Sequence, residues 1–340
     1  MSRPRKNPAD YWMPPRVRKG KSAYEFRAIN GRTIRLCDFA CSQAEVWVAF
    51  EKLLISQKED STFTGLINEF LLSGDFCDLA AETQKDYRKY SSKIIAVFGR
   101  MSPSNIKPEH IRKYMDKRGA KSRVQANREK TFMSRVFRWG YERGKVNLNP
   151  CIGVKQFKEK ARTRYITDDE YTALYDVAPP LVKVAMELAY LCCARQADVL
   201  DLKKGQLQEN GILIQQSKTY VAQIKAWTPR LHEAIQIADT LPLNRGVNSI
   251  YLLHHQSGAR FTRDSFNSHW MKAKKAASLK YPELDFHFTF HDLKAKGISD
   301  LSGSLYDKQS ISGHKNISQT ARYDRKVKIV PVVGGQNKAK

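Results

Sequence analysis

The chain has 340 residues, more than one hydrophobic core usually serves, so two or three domains are expected. Its 59 Lys and Arg against 34 Asp and Glu give a formal net charge of +25, which favours a polyanionic partner, nucleic acid first. A membrane-spanning protein is set aside because no run of about 18 apolar residues is present, and no secretory leader is expected at the N-terminus.

The six cysteines, at 37, 41, 77, 151, 192 and 193, include no C-x-x-C pair, so neither a disulfide framework nor a structural zinc site is indicated. A reducing cytoplasm suits them. Cys37 and Cys41 are spaced like half of a zinc site that has no second half.

Residues 1–35 carry ten Lys or Arg, with Arg3, Arg5, Lys6, Arg16 and Arg18 among them, against only Asp10 and Glu25. This end is expected to touch DNA separately. Residues 22–27 and 33–36 read as two short strands around Asn30-Gly31. Tyr11, Trp12, Tyr24 and Phe26 argue for a folded element over a disordered basic tail. From about residue 43 the period becomes helical, with Ala44, Val46, Trp47, Phe50 and Leu53 in one stripe, and the polar stretch 57–61 marks a boundary near 60.

The next block, to about residue 158, reads as all-helical, with helices at 62–73, 80–97, 107–118 and 122–144. In its last helix Phe132, Met133, Val136 and Phe137 alternate with Arg128, Arg135, Arg138 and Arg143, an apolar stripe beside a basic one suited to phosphate contacts. Residues 149–164, with Pro150, Gly153 and a dense Lys/Arg run, read as an interdomain linker. From Tyr165 a new domain is expected. Thr167 caps a helix with Asp168, Asp169 and Glu170 in its first turn, and a long apolar helix covers 180–191. Segments 211–216 and 221–227 read as a β-hairpin, and 230–325 mostly as helices.

Several polar residues of this last domain are hard to explain by packing. Arg195 follows the apolar run 190–194, where a buried guanidinium needs a partner, and Asp198 stands three residues on. Lys218 occupies the hairpin turn Ser217-Lys218-Thr219. His291 and Lys294 share one helix face, His314 follows Gly313, and Tyr323 lies nine residues beyond His314.

This ordered set resembles the tyrosine recombinases, the phage integrase family, whose pattern is Arg, a hairpin Lys, His-x-x-Arg, Gly-His, and a Tyr about nine residues further. The resemblance implies a multidomain, mainly α fold with small β elements, arranged as in the lambda-type integrases. A basic N-terminal β-sheet domain at 1–58 would bind arm-type DNA, a helical domain at 62–158 would bind the core site, and an α+β catalytic domain at 165–330 would cut, with a tail at 331–340. It implies site-specific DNA strand breakage and rejoining, integrating or excising a phage or other mobile element in the cytoplasm and nucleoid of a bacterial host.

By the same resemblance Tyr323 is the nucleophile that forms a 3′-phosphotyrosyl bond. Arg195, Lys294 and His314 hold the developing charge, His291 takes the phenol proton, and Lys218 protonates the leaving 5′-oxygen. No cofactor or metal is implied. The implied partners are double-stranded attachment-site DNA and three further copies of the chain, with an excisionase and a host DNA-bending protein as accessory factors. Residues 326–333 would pack as a strand on a neighbouring subunit. One departure stands out: Lys294 occupies the position of the family's second arginine, which exchanges a planar bidentate donor for a point charge on a flexible stem. Two alternatives remain open, a type IB topoisomerase and an inactive DNA-binding protein of the same fold.

Overall fold

The computed structural model describes residues 7–28, 31–60 (backbone alone from 55), 62–327, 330 and 332. Arg3, Arg5, Lys6 and Asn30 lie outside the described residues, as do 328, 329, 331 and 333–340 of the expected tail strand. The chain divides into two compact units, Met1–Lys160 and Ala161–Lys340.

The first unit opens on an antiparallel sheet of three strands, β1 (Val17–Lys19), β2 (Ala23–Arg27) and β3 (Thr33–Asp38), in that order. The sequence reading finds β2 and β3 but misses β1, whose three residues hold a single apolar side chain and so show no alternation. Helix α1 (Gln43–Asp60) lays Val46 and Phe50 against Met13, Val17, Tyr24 and Phe26 to form a small core. It continues to Asp60, through the stretch expected to break it.

A separate core holds the helices that follow: α2 (Phe63–Leu71), α3 (Gly74–Cys77), α4 (Ala81–Phe98), α5 (Pro108–Gly119) and α6 (Arg123–Glu142). Thr62 starts α2 by accepting from the Gly65 amide at 3.2 Å, and Ser122 starts α6 by accepting from Gln125. Phe132, Met133, Val136 and Phe137 are fully buried, and Phe137 stacks on Phe63 at 4.7 Å between ring centroids. Glu129 is buried in a forked bond from Arg118 and a 2.7 Å bond from the Tyr114 hydroxyl, which removes the cost of an unpaired interior carboxylate. The expected linker is not free along its length. Asn127 exchanges two hydrogen bonds with the Phe157 backbone, at 2.8 and 2.9 Å, and so pins that stretch to the helical core.

The second unit comprises α7 (Asp168–Val177), α8 (Pro180–Leu191), α9 (Gln196–Leu200), a sheet of β4 (Leu207–Gln208), β5 (Gly211–Gln215) and β6 (Ala222–Ala226), then α10 (Pro229–Asp239), α11 (Arg263–Lys280), α12 (Phe290–Asp300), α13 (Leu305–Ser312) and α14 (Ile317–Tyr323). Thr167 and Glu170 form the capping box of α7. Helix α8 is apolar nearly all round because it is the buried centre, packed between α10 and α12. Gly297 permits the α8–α12 approach, since a Cβ there would lie 2.2 Å from the Tyr190 carbonyl oxygen. Residues 240–262 are irregular rather than helical, tied by bridges between Lys203 and Tyr251 and between His254 and Arg260. Among the described residues no helix is long and apolar enough to cross a membrane.

Candidate active site

Arg195 does not end α8. The chain leaves that helix at Leu191, turns through Cys193 at φ 49°, and places Arg195 as the residue before α9. Its side chain is 12% exposed, bonded to the Gln216 amide oxygen and 3.9 Å from Asp198. The expected Asp198 contact is therefore a long ion pair, and Gln216 is the nearer partner. Asp198 spends its other oxygen on the amide and hydroxyl of Ser217, at 2.9 and 2.7 Å, anchoring the β5–β6 turn. Among the described residues, Arg195 Nη2 is buried without a hydrogen-bond partner.

Helix α12 carries His291 and Lys294 one turn apart, its start fixed by the Thr289–Asp292 capping box. Lys294 is 1% exposed, and its ammonium donates to the Cys193 carbonyl at 2.6 Å. Burial, reinforced by the Arg195 charge, pushes its pKa down to about 7. Helix α13 closes on Gly313 in the left-handed region, where a Cβ would also meet the Gln216 amide at 2.4 Å, so glycine is required twice over. His314 follows. Its Nδ1 lies 3.1 Å from the Thr320 hydroxyl, while Nε2 is buried and has no partner among the described residues. Burial, then Lys294 and Arg195, press its pKa to about 3, so the ring is neutral near pH 7.

Tyr323 ends α14 with its hydroxyl 2.7 Å from His291 Nε2 and its ring centroid 4.9 Å from that of His314. Ser299 holds the segment by donating to the Tyr323 carbonyl at 2.9 Å and accepting from the Arg325 amide at 2.7 Å. Lys308 pairs with Asp324 at 3.0 Å, and Arg325 with Asp292 at 2.7 Å. Burial raises the Tyr323 pKa, with the Arg195 and Arg325 charges pulling it back, and lowers that of His291.

His291 and His314 flank Tyr323, and Arg195 and Lys294 lie close enough for their charges to act on His314. Lys218 is exposed in the turn, with no hydrogen bond or ion pair among the described residues. Sequence reasoning missed Gln216, Lys225, Ser299, Lys308 and Arg325. Lys225 donates to Gln223 at 2.9 Å and to the Ile311 carbonyl at 2.5 Å, and burial lowers its pKa. For Gln216 a signal existed: Ile212, Ile214 and Gln216 alternate onto the same buried face.

The expected DNA contacts Arg128, Arg135 and Arg138 are exposed on α6, with Arg138 paired to Glu142 at 3.0 Å. Arg18 is exposed on β1 in a 3.4 Å pair with Glu25, and Arg16 is exposed just before it. His254 is buried, and exposed Arg260 pairs with Asp201 at 2.8 Å. No group of three or more His, Cys, Asp or Glu among the described residues is placed to hold a metal ion.

Residues 164–328 match the phage integrase family. The integrase of Escherichia phage HK022 is 30% identical over 198 residues, 55% of this chain and 54% of that protein, and the integrase of phage lambda is 26% identical over 204 residues, 56% and 55% respectively. The chain spans about half the length of these relatives in the matched stretch. The lambda integrase dimer bound to a COC′ core site superposes with a TM-score of 0.66 at 18% identity over 94% of this chain and 98% of that one, a likeness of fold. The Tn1549 transposon integrase in complex with circular intermediate DNA gives 0.64 at 14% identity over 78% of this chain and 96% of that one.

Proposed function

We propose that the chain is a site-specific DNA recombinase that cuts and rejoins strands through a covalent link to Tyr323. The observation that carries this reading is the 2.7 Å approach of His291 Nε2 to the Tyr323 hydroxyl, with the partly buried guanidinium of Arg195 close enough for its charge to act on that phenol. In the cleavage step Tyr323 Oη bonds to the scissile phosphorus while its proton passes to His291 Nε2, which needs the neutral ring with its own proton on Nδ1. The bond to the 5′-oxygen breaks, and Lys218 supplies the proton to that oxygen. Arg195 Nη2, Lys294 and His314 Nε2 face the nonbridging oxygens, where fixed donors stabilise charge that develops only in the transition state. Reversal with a new 5′-hydroxyl reseals the strand.

The domain limits 1–58, 62–158 and 165–330 carry over to this proposal, with arm-type DNA for the first and core DNA for the second. Exposed Arg128, Arg135 and Arg138 along α6 support the core-DNA assignment. The lambda integrase tetramer bound to a Holliday junction supports assembly of four copies on two sites. An excisionase and a DNA-bending protein complete the proposed set of partners, acting in a bacterial host. Incubation with two duplexes carrying candidate attachment DNA tests the reading. Exchanged strands are the expected product. Supercoil relaxation without exchange indicates a topoisomerase, and binding without any covalent adduct indicates an inactive module.

A further inference from the structure

The Gln216 side chain touches three segments of the site together. Its Oε1 accepts from Arg195 Nη1 and, at 2.9 Å, from the Thr219 hydroxyl, while its Nε2 donates to the Ser312 carbonyl at 2.8 Å. The amide orientation is fixed by these partners: a guanidinium can only donate and a carbonyl can only accept. Thr219 adjoins Lys218 in the hairpin turn, and Ser312 precedes Gly313-His314. Gln216 is 6% exposed, and its amide occupies the space a Cβ at position 313 would need.

Resting on the recombinase reading, we infer that Gln216 is a positioning residue that holds Arg195, the Lys218 turn and the His314 loop in one register, so that the phosphate clamp and the leaving-group acid arrive together. Neither hydrophobic nor acidic replacements reproduce it. Methionine matches the volume and has no donor to Ser312 and no strong acceptor for Arg195. Glutamate keeps both accepting contacts, loses the donor to Ser312 and sets a carboxylate against the Ser312 carbonyl and on the guanidinium meant for phosphate. The segments that depend on Gln216 carry chemistry, not core packing, so its loss should spare DNA binding and slow cleavage.

Single-turnover cleavage of a nicked suicide duplex, with binding measured on the same duplex, tests this on the full chain. Gln216→Met should slow adduct formation about a hundredfold while leaving DNA affinity within about threefold, the pattern of misplaced catalytic groups. Gln216→Glu should fall short of wild type as well. A duplex with sulfur at the bridging 5′ position separates the arms, because a thiolate departs without a proton. Gln216→Met should recover only in part on it, since the Arg195 arm stays displaced. Cleavage by Gln216→Met at the wild-type rate overturns the inference, as does loss of binding in step with cleavage, which marks a packing residue. If the wild-type chain forms no adduct, the recombinase reading fails first and takes this inference with it.

Discussion

The Nε2 atom of His291 and the hydroxyl of Tyr323 stand 2.7 Å apart, although 32 residues separate them along the chain. Burial depresses the His291 pKa, which keeps the ring neutral and able to accept the phenol proton at pH 7. Cleavage should hold steady from neutrality down to its ordinary value near 6.5 and fall only below that, as the imidazole charges. His291→Ala should slow adduct formation by roughly a hundredfold or more and remove this acid limb, read from single-turnover rates across pH.

Lys294 sets the opposite limb. Its pKa of about 7 in the free protein means that the ammonium is lost as pH rises, and bound phosphate moves the midpoint upward. Wild-type cleavage should decline on the alkaline side, whereas Lys294→Arg, charged throughout, should hold its rate there. Lys294→Ala should cost on the order of a hundredfold where the wild-type ammonium is charged, with the gap narrowing as pH rises.

His314 contributes to acid sensitivity of folding. Its folded pKa of about 3 lies below the unfolded value near 6.5, so the unfolded chain binds the extra proton between them. Stability from this group is present above about 6.5 and is lost as pH falls toward 3, at up to roughly 1.4 kcal/mol per unit. Denaturant unfolding of wild type and His314→Asn should show a steeper acid slope in the wild type, and equal slopes would contradict the assignment.

Arg135 and Arg138 are exposed on α6, and their binding to backbone phosphates would be independent of sequence. Replacing either by Ala should weaken binding to cognate and random duplexes alike and reduce the slope of log affinity against log salt by about 0.9 for each phosphate no longer neutralised.

Much of the fold was legible in the residue pattern. The apolar period of α6, the Thr167 cap and the 180–191 helix are readable from spacing because each is a local pattern. The site residues are readable as an ordered set. What escapes such reading are the groups whose roles depend on partners far along the chain, such as Ser299 bonded to Tyr323 and Asp292 to Arg325. Strand β6 misleads outright. Alternation would bury Ala222, Ile224 and Ala226, yet Ile224 is 50% exposed and Lys225 points inward, because Ile311 and Gln223 satisfy its ammonium there.

The most direct measurement is covalent trapping on a nicked suicide duplex carrying candidate attachment DNA, comparing wild type with Tyr323→Phe on a denaturing gel. A protein–DNA adduct that forms with the wild type and disappears in the variant, with both proteins binding the duplex equally, is the predicted result. An adduct of undiminished yield in the variant, or none from a wild type that binds tightly, would contradict Tyr323 as the nucleophile.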